Sequence, residues 1–323
     1  MSVHASLIND SLKSLFERYP TILSLPKLSV ESSEKLTFIG FSFSGRPKIV
    51  SKYYFRPEQD PVHLQELTPS PIFRTQLLNM VEKCARYGCS IYDCSIEREN
   101  DASESLRFVC SIPYDVRCNP GYLETWLLRI LTEMGFDNAS SVPLSVNRRL
   151  QSSLNSFLQP MYLIGGCVNP NGGMTRLKVN FDADIVENDN ISHRRPVFDN
   201  HRALEGIEAT LDLFLDSKKA VGTLDWSRRL VKASFKIHMF GLNVDRRETP
   251  EFKIYFQRYG SAGAEGKEIL KELMLTHGIV GEDILPAVSN RLVTDGWEYW
   301  GVCIALQEGG IAGVKLYLRP MEY

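Results

Sequence analysis

The sequence predicts an α+β fold in which a closed ten-stranded antiparallel β-barrel is ringed by helices and built as five helix-then-hairpin repeats. Two observations predict it. Helical periodicity and strand alternation take turns along the chain, each helical stretch being followed by a pair of strands. The second strand of each pair also carries a similar short pattern of basic and aromatic residues alternating with apolar ones. An open sheet of ten strands would leave two exposed edges, and closure into a barrel removes both.

The elements follow in order. An amphipathic opening (Leu7, Leu12, Leu15, Phe16) leads to the strands of residues 36–45 and 48–57, joined at a Gly-Arg-Pro turn. Residues 71–87 place Leu77, Val81 and Cys84 on one stripe and stop at Gly88, ahead of CSIYDCSIERE and SESLRFVCSIP. Asn119-Pro120 opens a helix with Leu123, Leu127, Ile130, Leu131 and Met134 on one face, and residues 145–158 give another before PMYLIGGCV and MTRLKVNFDAD. Residues 201–215 align Leu204, Ile207, Leu211 and Phe214, followed by KASFKIHMFGL and PEFKIYFQRY. Helical patterns over 264–277 and 282–292 precede WGVCIALQEGG and AGVKLYLRP. The five units read as a single domain over residues 1–323.

Composition narrows the class. The net charge of −2 and the 43% hydrophobic share belong to an ordinary globular protein, against a disordered chain or a generic nucleic-acid binder. No apolar run reaches the roughly 18–20 residues needed to span a bilayer, and the N-terminus carries charges where a secretory signal needs an unbroken apolar segment. A cytoplasmic protein is expected. The seven cysteines include no C-x-x-C pair and read as reduced thiols in packing positions.

The repeated strand assigns its own faces. Side chains alternate across a strand, so Lys52 and Tyr54 share a face, as do Arg176, Lys178 and Asn180, then Lys253 and Tyr255, then Lys315 and Tyr317. The opposite face carries Tyr53/Phe55, Val179/Phe181, Ile254/Phe256 and Leu316/Leu318. Helices with apolar stripes need an apolar partner, which sends the Lys/Tyr face into the lumen. On the same reasoning Lys236 and His238 share a face, with Phe235, Ile237 and Met239 opposite. Converging cations in one enclosed space repel and lose hydration unless a polyanion neutralises them, and a diphosphate fits that need. The interleaved tyrosines would donate to phosphate oxygens and stabilise an allylic cation by cation–π attraction.

With FKIHMF, FKIYF and VKLYL in the last strands, the chain resembles the soluble aromatic prenyltransferases of the ααββ-barrel type. The likeness spans the whole chain, on short motifs. It implies a prenyltransferase that moves a dimethylallyl or geranyl group from its diphosphate to an indole or phenol by electrophilic substitution. Carried onto this sequence, Lys52, Lys178, Lys236, Lys253 and Lys315 would bind diphosphate, with Arg176 beside them and Arg107 and Arg319 as weaker candidates. Tyr54, Tyr255 and Tyr317 would form the tyrosine shield. No cofactor is implied as required, although magnesium could assist the diphosphate.

Members of this group that activate an indole often carry a glutamate near the first hairpin, and LTFIGFSFSG has none. Asp93, Glu97, His238 and Glu298 lie on or near strands and are candidates for the base that removes the ring proton. The acidic run Asp182, Asp184, Glu187 and Asp189 has the wrong spacing for a magnesium-binding aspartate box and reads as a solvated loop. Two other readings stay open: a peptide side chain as acceptor, and a non-catalytic barrel that carries an acidic amphipathic ligand at its rim.

Overall fold

The computed structural model describes residues 38–44, 50–55, 71–99, 103–136, 139–168, 173–184, 199–245, 249–258, 264–279 and 297–320. The expected opening helix and the helical pattern over 282–292 lie outside the described residues. Ten strands are present: β1 (Phe38–Ser44), β2 (Val50–Phe55), β3 (Ser90–Glu99), β4 (Ser103–Ser111), β5 (Met161–Val168), β6 (Met174–Asp182), β7 (Phe235–Asp245), β8 (Glu251–Arg258), β9 (Trp297–Gln307) and β10 (Gly310–Pro320). Every pairing is antiparallel, and the order β1-β10-β9-β8-β7-β6-β5-β4-β3-β2 closes into a barrel through β1–β2.

Helices α1 (Pro71–Arg86), α2 (Tyr114–Cys118), α3 (Pro120–Met134), α4 (Ser141–Leu154), α5 (Asn200–Leu211), α6 (Ser217–Lys232) and α7 (Ala264–Thr276) lie between the hairpins in sequence. Asn119 caps α3 by accepting from the Tyr122 amide at 3.2 Å, Pro120 occupies its first turn, and Gly135 ends it at φ 75°. Helix α4 spans an earlier register than the 145–158 expected, because Pro143 fits the first turn, where its missing amide has no partner to lose, and Asn155 ends the helix in a left-handed conformation. Helix α6 has no counterpart in the sequence reading. Its signals are Asp216, which accepts from the Lys219 amide at 3.0 Å, and buried Thr223, Leu224, Ser227 and Leu230 on one stripe of a largely charged helix.

The buried apolar side chains divide into two groups that follow strand alternation. The larger joins Leu123, Leu127, Leu150, Ile207 and Leu230 of the helices to Leu106, Phe108, Val179, Phe181, Phe240, Ile254, Phe256, Ile304 and Leu316 of the strands. This is the core between barrel and helices. The smaller consists of Tyr255, Cys303 and Tyr317, with Met239 and Trp300 packed against it. It lies on the other face, and therefore in the lumen.

The register contains four irregularities of one kind. In β3, β5, β7 and β9 one residue is left out of the pairing near the start of the strand: Tyr92, Tyr162, His238 and Trp300 in turn. Each is an aromatic ring on the first strand of its hairpin. A bulge reverses the alternation beyond it, so Ile237 joins the outer core while Met239 joins the luminal group. The expectation that Met239 lies on the apolar outer face is corrected by that one inserted residue.

Candidate active site

The luminal positions of β4 to β10 align across the barrel. Arg107 stands opposite Cys167, which stands opposite Arg176, and Arg176 opposite Asp245. One step along, Lys178 stands opposite Asn243 and Asn243 opposite Glu251. Lys253 stands between Gly241 and Ala305, and Lys315 between Ser42 and Cys303. Small residues flank the long cations, leaving room for them and for whatever they bind.

Lys253 is fully buried, while Arg107, Lys178 and Asn243 are 2%, 6% and 1% exposed. Such groups stay folded only where their charges are balanced. Part of the balance is internal. The Lys253 ammonium pairs with the Glu251 carboxylate, which also accepts from Asn243 Nδ2 at 2.6 Å. Arg176 Nε donates to Asp245 Oδ1 at 2.7 Å. Burial pulls the Lys253 ammonium down to about 7, with Lys315 and Arg107 pulling the same way and Glu251 opposing. Lys315 is lowered by burial and then by Arg107. Burial pushes the Glu251 carboxyl up, but Lys253, Lys315 and Arg176 outweigh it and hold it well below the usual carboxylate range. Burial raises the Cys303 thiol although Lys253, Lys315 and Lys178 oppose it. Five cations thus share one electrostatic neighbourhood with two carboxylates.

An aromatic wall adjoins this cluster. The Tyr255 and Tyr317 rings lie 6.1 Å apart, Trp300 meets Tyr317 edge-on at 6.3 Å, and His238 meets Trp300 edge-on at 5.9 Å. Gly241 allows this packing, because a Cβ there would stand 2.9 Å from the Tyr255 ring. Tyr162 donates to the Met239 sulfur at 3.2 Å. His238 is pulled down to about 4 by burial and by Lys236, so its imidazole is neutral near pH 7 and can accept a proton. Its Nδ1 makes no hydrogen bond within the protein.

Lys236 stands elsewhere. It is opposite Gln257, four residues along β8 from Lys253, a separation of about 13 Å at the usual strand rise. Its ammonium lies 3.8 Å from Asp184 Oδ1, while Arg117 lies 3.6 Å from Asp182 Oδ2. The structure therefore groups Lys236 with a second, mixed-charge cluster rather than with Lys178, Lys253 and Lys315. Asp184 is raised to about 7 by burial and by Asp182, and Asp182 is raised by burial against the pull of Arg117. The solvated-loop reading is corrected for these two aspartates, whose half-buried side chains are ion-paired; Glu187 and Asp189 lie outside the described residues.

Six named candidates, Lys52, Tyr54, Asp93, Glu97, Glu298 and Arg319, have a place in the register but side chains outside the described set. Lys52 stands opposite Gly40 and Glu97, Tyr54 opposite Phe38 and Ser95, Asp93 opposite Val109, and Glu298 opposite Arg319. Sequence reasoning missed Glu251, Asn243, Cys303, Trp300 and Tyr162. Glu251 was legible as the i, i+2 neighbour of Lys253 on one strand face. Trp300 was not, because alternation from Cys303 places it outside until the bulge is known. Among the described residues, no three of His, Cys, Asp and Glu come together as a metal site, and no helix is long and apolar enough to cross a membrane.

The site and its scaffold define a class of barrel: antiparallel, helix-ringed, with a basic and aromatic lumen. Solved structures share the architecture. NotF, in complex with brevianamide F and DMSPP, matches with a TM-score of 0.59 at 12% identity, over 92% of this chain and 82% of that one. A 6-dimethylallyltryptophan synthase from Micromonospora olivasterospora, in complex with DMASPP and Trp, matches with a TM-score of 0.50 at 10% identity, over 88% of this chain and 81% of that one. At such identities the likeness is one of fold, and the chain has the fold of these prenyltransferases. No protein-family model matches the chain, and no curated protein matches its sequence.

Proposed function

We propose that the protein is an aromatic prenyltransferase, built as a single prenyltransferase barrel of five ααββ units, that transfers a dimethylallyl or geranyl group from its diphosphate to an indole or phenol. The observation that carries this reading is the row of buried Arg107, Lys178 and Lys253 with half-buried Lys315, beside the Tyr255–Tyr317 pair. A ligand carrier needs one or two cations at its rim, whereas ionising an allylic diphosphate needs preorganised positive charge where water is excluded. The neighbours supply the substrate analogy: one is solved with Trp and one with brevianamide F.

In this reading the carbon–oxygen bond of the allylic diphosphate breaks heterolytically, and the leaving diphosphate keeps the electron pair. Lys178, Lys253, Lys315, Arg107 and Arg176 take up its charge. Tyr255 and Tyr317 shield the allylic cation with their ring faces, each ring contributing roughly 0.5–2 kcal/mol when desolvated, and Tyr54 is added to the shield on the sequence pattern alone. The acceptor ring lies against Trp300 and Met239, and its π electrons form the new carbon–carbon bond. The ring proton then passes to a base. His238, neutral and at the aromatic wall, is preferred over Asp93 and Glu298 because its ring contacts Trp300.

On the sequence pattern alone Lys52 of β2 is added to the diphosphate-binding set, and Lys236, paired with Asp184, is left out of it. The test is incubation with dimethylallyl and geranyl diphosphate against tryptophan, an indole-containing cyclic dipeptide, simple phenols and short aromatic peptides, with and without magnesium. Prenylated indole or phenol is the expected product. Transfer to peptides alone would move the acceptor to a side chain, and ligand binding with no turnover on any acceptor would make the protein a carrier.

A further inference from the structure

The Glu251 carboxylate lies where a bound diphosphate would find its strongest cation. It shares the luminal face of β8 with Lys253, pairs with that ammonium, and is clamped by Asn243. Lys315 and Arg176 also act on it. A site dedicated only to holding a polyanion would have no carboxylate at its centre, since like charges in a shielded space repel.

We propose that Glu251 is a built-in counter-ion, a positioning residue that holds the Lys253 ammonium in place in the empty lumen and competes with inorganic diphosphate for it, so that the spent leaving group is released. The inference rests on the prenyltransferase reading of the lumen. Before substrate arrives, the ion pair with Glu251 opposes the loss of the proton that burial favours at Lys253. As diphosphate binds, Lys253 is shared between two anions. After transfer, the repulsion from Glu251 remains while the prenyl chain that helped hold the substrate is gone.

Calorimetric titration with inorganic diphosphate tests this on the full chain. At pH 6, Glu251→Gln is expected to bind diphosphate at least about tenfold tighter than the wild type, the effect of removing one charge from a partly screened cluster. That advantage should shrink as pH rises, because Lys253 without Glu251 loses its proton sooner. In turnover, kcat and the KM for the prenyl diphosphate should fall together, with a burst of product in the first cycle.

Equal or weaker diphosphate binding by Glu251→Gln, with the wild type binding measurably, would overturn the inference and leave the activity reading intact. If the wild type binds no diphosphate, the reading of the lumen itself fails. Should Glu251→Gln not fold, Asn243→Ala removes the clamp and keeps the carboxylate. It is expected to tighten binding about threefold by letting the carboxylate swing away, and unchanged or weaker binding would refute the proposal in the same way.

Discussion

Lys253→Met gives the sharpest test of the luminal cluster. Methionine replaces the ammonium with a neutral group of comparable length, so the lumen keeps its filling and loses one charge. Lys253 is fully buried and paired with Glu251. Removing one preorganised donor from a developing anion in a dry site costs about 3–4 kcal/mol, a loss of roughly 10²–10³ in kcat.

The same variant changes stability with a sign fixed by the ammonium. Its folded value of about 7 lies below the ordinary 10.5, so between these the unfolded chain holds more protons and stability rises with pH. Below about 7 both states are charged and the cost of burying the charge is fully present. Thermal melts of the wild type from pH 6 to pH 10 should carry this rising contribution, and melts of Lys253→Met should lack it. A variant with kcat within threefold of the wild type on the preferred substrates would show that Lys253 does not meet the leaving group.

Gly241→Val would drive a side chain into the Tyr255 ring, where even a Cβ stands at 2.9 Å. Overpacking of this kind costs about 1–3 kcal/mol, and the expected result is a large loss of transfer with little change in far-ultraviolet circular dichroism. Full activity would mean that the ring position is unimportant. Trp300→Ala removes the edge-on contacts to His238 and Tyr317, each worth about 0.5–1.5 kcal/mol. The acceptor KM should rise and the distribution of prenylated positions should broaden, whereas a change confined to the prenyl-diphosphate KM would place Trp300 at the wrong end of the lumen. Asp184 is raised from 3.8 to about 7, so the folded protein holds its proton over that range and stability falls as pH rises through it. Asp184→Asn should flatten that fall in thermal melts between pH 4 and pH 7, and an unchanged slope would show that another group produces it.

Much of the architecture is legible in the residues alone. Hairpin after hairpin, the alternation Lys178-Val179-Asn180-Phe181 or Lys253-Ile254-Tyr255-Phe256 assigns one face to the helices and the other to the lumen. The physical reason is local, since neighbouring side chains on a strand must point apart and helices with apolar stripes must cover the apolar side. Arg176, Lys178, Lys253, Lys315, Tyr255 and Tyr317 follow from that rule without any knowledge of partners.

What only tertiary structure decides begins where the alternation breaks. Nothing in FKIHMF announces that His238 drops out of the ladder, yet that one residue carries Met239 into the lumen, and the equivalent slip at Trp300 completes the aromatic wall. Register also separates Lys236 from Lys253 and gives it Asp184, although the two lysines look alike in sequence. Bulges and register depend on how one strand is stacked against the next around a closed ring, a balance among distant residues that no single segment contains.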